Sequence, residues 1–240
     1  MFRLDRRTAL GVVAGAMAAP APLSAQTAPQ VCNSSKGYPA NPDDWANLAR
    51  YAEDNRRQLA TAARPQIVFI GDSITEGWPQ KSADFFPAGR VGRGIGGQTT
   101  PQMLVRMMAD VVALRPRKVH IMGGTNDIAG NTGPIDPAQT RDNVSAMIAI
   151  ARQHGIDVLL GSIPPAASFP WRPGLDTISE IRNRNRLLSE LARTRSVRFV
   201  DYTAALADTD GTPRPGMTVD GVHPDLTGYH AMERVLKPHL

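Results

Sequence analysis

The chain has 240 residues, 42% of them hydrophobic and 20% charged, with 27 Lys and Arg against 22 Asp and Glu for a net charge of +5. That length suits one medium domain with a full core, and the composition excludes a disordered polypeptide. The basic excess is small and dispersed, which argues against nucleic acid as a partner.

Residues 1–25 read MFRLDRRTALGVVAGAMAAPAPLSA. Arg3, Arg6 and Arg7 precede a weakly apolar run from Thr8 to Ala19, and small residues lead up to Leu23-Ser24-Ala25. The pattern predicts a cleavable export signal. The apolar run is shorter than the ~20 residues a bilayer span requires, so no stable membrane anchor is expected. Arg6-Arg7 before Thr8, Ala9 and Leu10 resembles a twin-arginine signal. That signal implies a bacterial protein exported after folding, to be periplasmic or secreted. Cleavage after Ala25 removes three arginines and one aspartate and lowers the net charge from +5 to +3.

Residues 26–40 lie in a stretch rich in Pro, Ala, Ser and Gln and read as a flexible lead-in. Cys32 is the only cysteine, so no intrachain disulfide forms. Pro29-Gln30-Val31 before it does not fit the Leu-small-small triplet of a lipoprotein.

Residues 41–240 read as one domain. Asn41-Pro42-Asp43-Asp44 combines an N-cap, a first-turn proline and acidic residues, and predicts a helix to about Ala62. Thr100-Pro101 and Asp136-Pro137 open two more helices, the second stopped by Gly155. A helix is also expected through the basic run Ile181 to Arg195. There Ile178, Ile181, Leu188 and Leu191 share one face and the arginines occupy solvated ones. Between the helices lie short runs read as buried strands: Gln66–Ile70, Arg90–Gly94, Lys118–Met122, Asp157–Ile163 and Val197–Val200. Strands alternating with helices imply right-handed crossovers, a parallel sheet and a three-layer α/β/α sandwich.

In such sheets the functional crevice lies beyond the carboxyl ends of the strands. GDSIT, GIGGQTT and GGTNDIAGN leave the first three of those ends, and DGVHPD precedes the last helix. Acyl transfer needs a hydroxyl nucleophile, a base, a carboxylate to orient it and donors for the oxyanion. Ser73 suits the first role, His223 the second and Asp220, three residues before it, the third. The donors are the backbone N–H of Ser73, the N–H of the side-chain-free Gly97 and the amide of Asn126.

The four segments together resemble the conserved blocks of the GDSL or SGNH hydrolases, from Gln66 to the end of the chain and in the family's order. The resemblance places the family's Ser, Gly, Asn and His at Ser73, Gly97, Asn126 and His223, with Asp220 beside the histidine. It implies a flavodoxin-like, five-stranded parallel sheet of order 2-1-3-4-5, a serine esterase mechanism and no metal or organic cofactor. The GIGGQTT and GGTND versions look most like the branch of platelet-activating-factor acetylhydrolase-like and carbohydrate acetylesterase-like proteins. Gly-x-Ser-x-Gly is absent around Ser73, which disfavours an ordinary α/β-hydrolase fold.

Asp72 and Asp127 are expected to accept hydrogen bonds that fix the loops. Trp78, and Trp171 with Phe169 in SIPPAASFPWRPG, are aromatic candidates for contacting a sugar or acyl group. The expected substrate is a small-molecule or glycan ester with a short acyl chain such as acetyl. An acyltransferase on the same constellation, a lysophospholipase or arylesterase, and a non-catalytic binding protein are the competing readings. Nothing in the sequence indicates an oligomeric state.

Overall fold

Five short strands carry the architecture: β1 (Ile67–Gly71), β2 (Arg90–Gly94), β3 (Lys118–Met122), β4 (Asp157–Gly161) and β5 (Arg198–Val200). In the computed structural model, which describes residues 42–61 and 63–240, they form one parallel sheet in the order β2-β1-β3-β4-β5. Gly71, the last residue of β1, pairs with Gly94 on one side and Met122 on the other. The loops after β1, β2 and β3 therefore leave the sheet side by side. The predicted export signal and lead-in lie outside the described residues.

The helices are α1 (Ala52–Ala60), α2 (Ser73–Lys81), α3 (Thr100–Arg106), α4 (Thr125–Ala129), α5 (Pro137–Gln153), α6 (Thr177–Thr194), α7 (Thr203–Leu206) and α8 (Leu226–Leu236). Successive strand residues point to opposite faces, and the core divides accordingly. Val68 and Ile70 of β1 join α3, α5 and α6 through Met103, Met147, Ile148, Leu188 and Leu191. Ile67 and Phe69 join α2, α7 and α8 through Trp78, Leu206, Tyr229 and Met232. The result is the expected three-layer α/β/α sandwich with a flavodoxin-like sheet.

α5 starts where expected: Asp136 accepts the Gln139 N–H at 2.8 Å and Gln139 Oε1 accepts the Asp136 N–H at 2.9 Å. Elsewhere the structure corrects the sequence reading. The helix predicted from Asn41 to Ala62 is instead two 3-10 turns, Pro42–Asp44 and Leu48–Tyr51, followed by the nine-residue α1. Asn47 is left-handed at φ 54°, and Asp44 caps the second turn through the Leu48 and Ala49 N–H groups. Gln102 and Gln98 take the Trp45 and Ala46 carbonyls, both at 2.7 Å, so these oxygens serve tertiary bonds in place of helical ones.

α3 continues as a π-helical turn, Met107–Val112. β2 is not a buried apolar run; Arg90, Val91 and Gly92 are only half-buried on this edge strand. In α6 one arginine departs from the solvated faces. Arg184 is buried, paired with Glu180 and donating to the Ile135 carbonyl at 2.7 Å.

Candidate active site

β1 ends at Gly71, and α2 begins two residues later at Ser73. A side chain at Gly71 would lie 2.1 Å from Thr75 Oγ1 and 2.5 Å from the Met122 carbonyl oxygen, so only glycine permits a turn this tight. Asp72 is the N-cap and accepts the Ile74 N–H at 3.0 Å. Ser73 thus occupies the first helical position, where a backbone N–H has no acceptor within its own helix.

Ser73 Oγ lies 2.9 Å from His223 Nε2, and His223 Nδ1 lies 2.7 Å from Asp220 Oδ2. The other carboxylate oxygen, Oδ1, accepts the backbone N–H groups of Val222 at 3.0 Å and His223 at 2.8 Å. One oxygen of Asp220 therefore shapes the turn while its partner orients the ring. Partial burial pushes the Asp220 pKa up, but the bonds from the His223 backbone, the His223 ring and Val222 outweigh it. The carboxyl sits below its ordinary range and is ionised at neutral pH. With Nδ1–H donated to Asp220, the imidazole offers its Nε2 lone pair to the serine hydroxyl.

The loop after β2 passes close to this serine, since a side chain on Gly96 would stand 3.7 Å from Ser73 Cβ. Gly97 is left-handed at φ 76°. Asn131 Nδ2 donates to both the Gly97 carbonyl and Asn126 Oδ1, each at 3.0 Å. That bond fixes which way the Asn126 amide faces. Its Nδ2 donates one hydrogen to the Gln98 carbonyl at 3.0 Å and retains a second for a bound oxygen.

The structure thus joins Ser73, His223 and Asp220 in one hydrogen-bonded series and links Gly97 to Asn126 through Asn131. Asp127 behaves as expected of a loop-fixing acceptor. Buried beneath the site, it takes the Thr100 N–H at 2.8 Å, the Thr100 hydroxyl at 2.5 Å and the Thr140 hydroxyl at 2.8 Å. Its burial raises its pKa, against the lowering effect of the threonine bonds and Arg184. Asp72 does not brace a neighbouring loop but caps its own helix.

Trp78 is corrected outright. It is 0% exposed, stacked on Phe85 and Tyr229 at 5.5 and 5.6 Å between ring centroids, and donates Nε1–H to Glu233 at 3.1 Å. It is a core residue out of reach of substrate. Trp171 stands on the site side. Its ring stacks on Phe169 at 5.2 Å and lies 6.1 Å from the His223 ring, and its buried Nε1–H has no acceptor among the described residues.

Asn131, Gln98 and Glu76, whose Oε2 accepts the Gly96 N–H at 2.8 Å, complete the surroundings. Sequence reasoning assigned none of them. Asn131 closes the GGTNDIAGN loop, and its position there is the only signal that could have found it.

Sheet order and the placement of these loops define the class: a three-layer α/β protein with the fold of the GDSL or SGNH hydrolases. Residues 69–231 match the GDSL-like lipase/acylhydrolase family, and the chain belongs to it. A GDSL-like lipase from Bacteroides thetaiotaomicron VPI-5482 is 39% identical, with a TM-score of 0.75 over 80% of this chain and 96% of that one. A Streptococcus pneumonia protein described as a platelet activating factor is 28% identical, with a TM-score of 0.67 over 82% of this chain and 95% of its own. The uncharacterized lipoprotein YqeF of Bacillus subtilis (strain 168) is 32% identical over 117 residues, 41% of this chain and 48% of YqeF. The chain thus spans about half the length of that curated relative.

Proposed function

We propose that this acylhydrolase-family protein is a serine esterase acting on carboxylic esters with short acyl chains, O-acetyl groups among them. One observation carries the reading: a serine hydroxyl 2.9 Å from an imidazole that is itself 2.7 Å from an ionised carboxylate. As Ser73 Oγ attacks the ester carbonyl carbon, His223 Nε2 takes its proton and Asp220 steadies the imidazolium. The carbonyl oxygen, now an oxyanion, lies among the Ser73 N–H, the Gly97 N–H and the Asn126 amide. His223 then returns the proton to the leaving alcohol as the C–O bond breaks, leaving an acyl-serine. Water, deprotonated by the same imidazole, attacks that ester; the acid departs and Ser73 recovers its proton.

The surroundings of Ser73 favour small, polar esters. They include the Gly96–Gln98 backbone, the Asn126 amide and the Trp171 ring beside His223. In this reading the half-buried Trp171 ring offers its apolar surface to the acyl or alkyl group. Trp171→Ala, which deletes the ring, should raise KM about 3- to 10-fold.

Ser73→Ala should abolish hydrolysis of p-nitrophenyl acetate while the fold persists, and Asn126→Ala should lower kcat about 100- to 1000-fold. A Ser73→Ala protein that turned over at the parent rate would overturn the mechanism. A series from acetyl to octanoyl esters tests the acyl length, with the acetyl ester expected to give the highest kcat/KM.

Export through residues 1–25 belongs to the same reading. It is supported by the signal-like pattern of that segment and by the lipoprotein description of its Bacillus relative. Among the described residues, no helix is long and apolar enough to cross a membrane. Detection of the processed protein outside the cytoplasm, and its retention in the cytoplasm when Arg6 and Arg7 are replaced by lysine, would test the route.

A further inference from the structure

We propose that the segment from Trp45 to Asn55, together with Glu76, is a positioning element for the loop Gly94–Gln98, holding Gly97 at the place where its N–H meets the oxyanion. The inference rests on the esterase reading above and adds to it the residues that set the donor geometry.

The need arises from topology. Gly97 follows β2, an edge strand with only β1 beside it, and lies within a loop holding three glycines, Gly94, Gly96 and Gly97. Such a loop has little conformational preference of its own. An oxyanion donor, however, works only within about 2.7–3.1 Å of its target.

The segment meets the end of β2 and pins the loop on both sides of Gly97. Tyr51 Oη donates to the Gly94 carbonyl. Glu76, one turn after Ser73, accepts the Gly96 N–H on Oε2 at 2.8 Å, while Arg50 holds its Oε1 at 3.1 Å. Beyond Gly97, Gln98 donates its side-chain amide to the Ala46 carbonyl at 2.7 Å and accepts from Arg106 Nε at 2.7 Å. Its backbone carbonyl is the acceptor for Asn126, so the two proposed donors share one anchor.

Beneath the loop lie two buried guanidinium groups. Arg93 is held by Asn55 at 2.8 Å and Asp54 at 2.7 Å, and lies 4.8 Å over the Tyr51 ring. Arg106, fully buried with Asp110 at 2.6 Å, donates to the carbonyls of Arg93 at 3.1 Å and Gly71 at 3.3 Å. It thereby ties the loop to the residue that introduces Asp72 and Ser73. A buried ion pair such as Arg106–Asp110 is a costly way to fill space, and apolar side chains of equal size often do as well. What Arg106 supplies here is direction, since its bonds hold the Gln98 side chain on one side of Gly97 and the Arg93 and Gly71 carbonyls on the other. The occupied partners at Gly94, Gly96 and Gln98 leave the Gly97 N–H, which has no acceptor among the described residues, to face the site.

The test uses the full chain with Tyr51→Phe, Glu76→Ala and Glu76→Gln, measuring kcat and KM on p-nitrophenyl acetate, the Ki of an alkylboronic acid and the thermal midpoint. The boronate forms a tetrahedral adduct on the serine and reports donor geometry directly. A shift of a few tenths of an ångström to an ångström in the loop should lower kcat about 10- to 100-fold in Glu76→Ala and about 10-fold in Tyr51→Phe. KM should stay within about twofold, and the boronate Ki should rise by the same factor as kcat falls. Glu76→Gln keeps an acceptor for Gly96 and should recover most of the loss. Unchanged kcat in Tyr51→Phe and Glu76→Ala, a boronate Ki that does not move, or a glutamine variant as slow as alanine would each overturn the proposal. A parent that is inactive, or a Ser73→Ala variant that is fully active, would instead refute the esterase reading. A purely structural role would lower the thermal midpoint without separating kcat from KM.

Discussion

At Asp220 a single carboxylate does two separable jobs, with Oδ1 on backbone N–H groups and Oδ2 on the His223 ring. Asp220→Asn keeps an acceptor for the turn but offers the ring an amide that also donates, so the imidazole is no longer held in the tautomer that accepts from serine. We expect kcat on p-nitrophenyl acetate to fall by up to about 10⁴-fold, with the fold intact by circular dichroism. At this scale the sequence was informative for residues whose chemistry is conspicuous: a serine, a histidine and an aspartate in turn-like surroundings. It was silent on Asn131 and Glu76, because their work is to hold other residues' amides, and an ordinary Asn or Glu carries no mark of its tertiary partner. It misled at Trp78. Five residues beyond Ser73 is near in sequence, but on a helix that distance turns the side chain to the core face, where Phe69, Phe85 and Tyr229 enclose it.

Among the elements, the turn from β1 into α2 carries the sharpest constraint. Gly71→Ala would drive a methyl group into Thr75 and the Met122 carbonyl, and both neighbours belong to tightly packed elements. We expect it to destabilise the fold by about 1–3 kcal/mol or more, read as a lowered denaturation midpoint.

The cap of α2 has its own pH signature. Burial raises the Asp72 pKa from 3.8 to about 6, against the lowering effect of its bond to Ile74. Between about pH 4 and 6 the folded protein keeps a proton that the unfolded chain has lost, so this group's contribution to stability is lost as pH rises through 6. Asp72→Asn keeps the cap without the titration and should gain stability relative to the parent as pH rises across that window, as denaturation at pH 4 and pH 7 would reveal.

Helix starts marked by capping residues and proline were legible, as at Asp136-Pro137. The segment Pro42–Tyr51 was not, because side chains of Gln98 and Gln102, about fifty residues away, claim its carbonyls. The π-turn at Met107–Val112 falls where Arg106 and Asp110 are buried, a fact no local pattern records.

For the molecule as a whole, the parallel sheet followed from the alternation of strand and helix and its strand order from the family resemblance, and burial on both faces made the central strands easy to read. The edge strands β2 and β5 were found in place, β2 with its bounds as read, but their burial was overestimated because an edge strand needs less apolar surface.

A second buried group opposes Asp72 in setting acid stability. His120, in the middle of β3, is 0% exposed, bonded through Nε2 to Tyr202 at 2.8 Å, and its burial lowers its pKa to about 3. The unfolded chain takes up this proton near 6.5, so acid below that value favours unfolding. In His120→Gln, the fall in stability between pH 6.5 and 4 should be shallower than in the parent.

The last consequence concerns time. Ser73 and His223 meet across 150 positions of sequence, and α8 is hydrogen-bonded to α2 through Tyr229 and Glu233. During synthesis Ser73 therefore emerges long before His223. In the proposed mechanism, activity waits until His223 has been made and α8 has docked, so a chain still short of that point hydrolyses no ester.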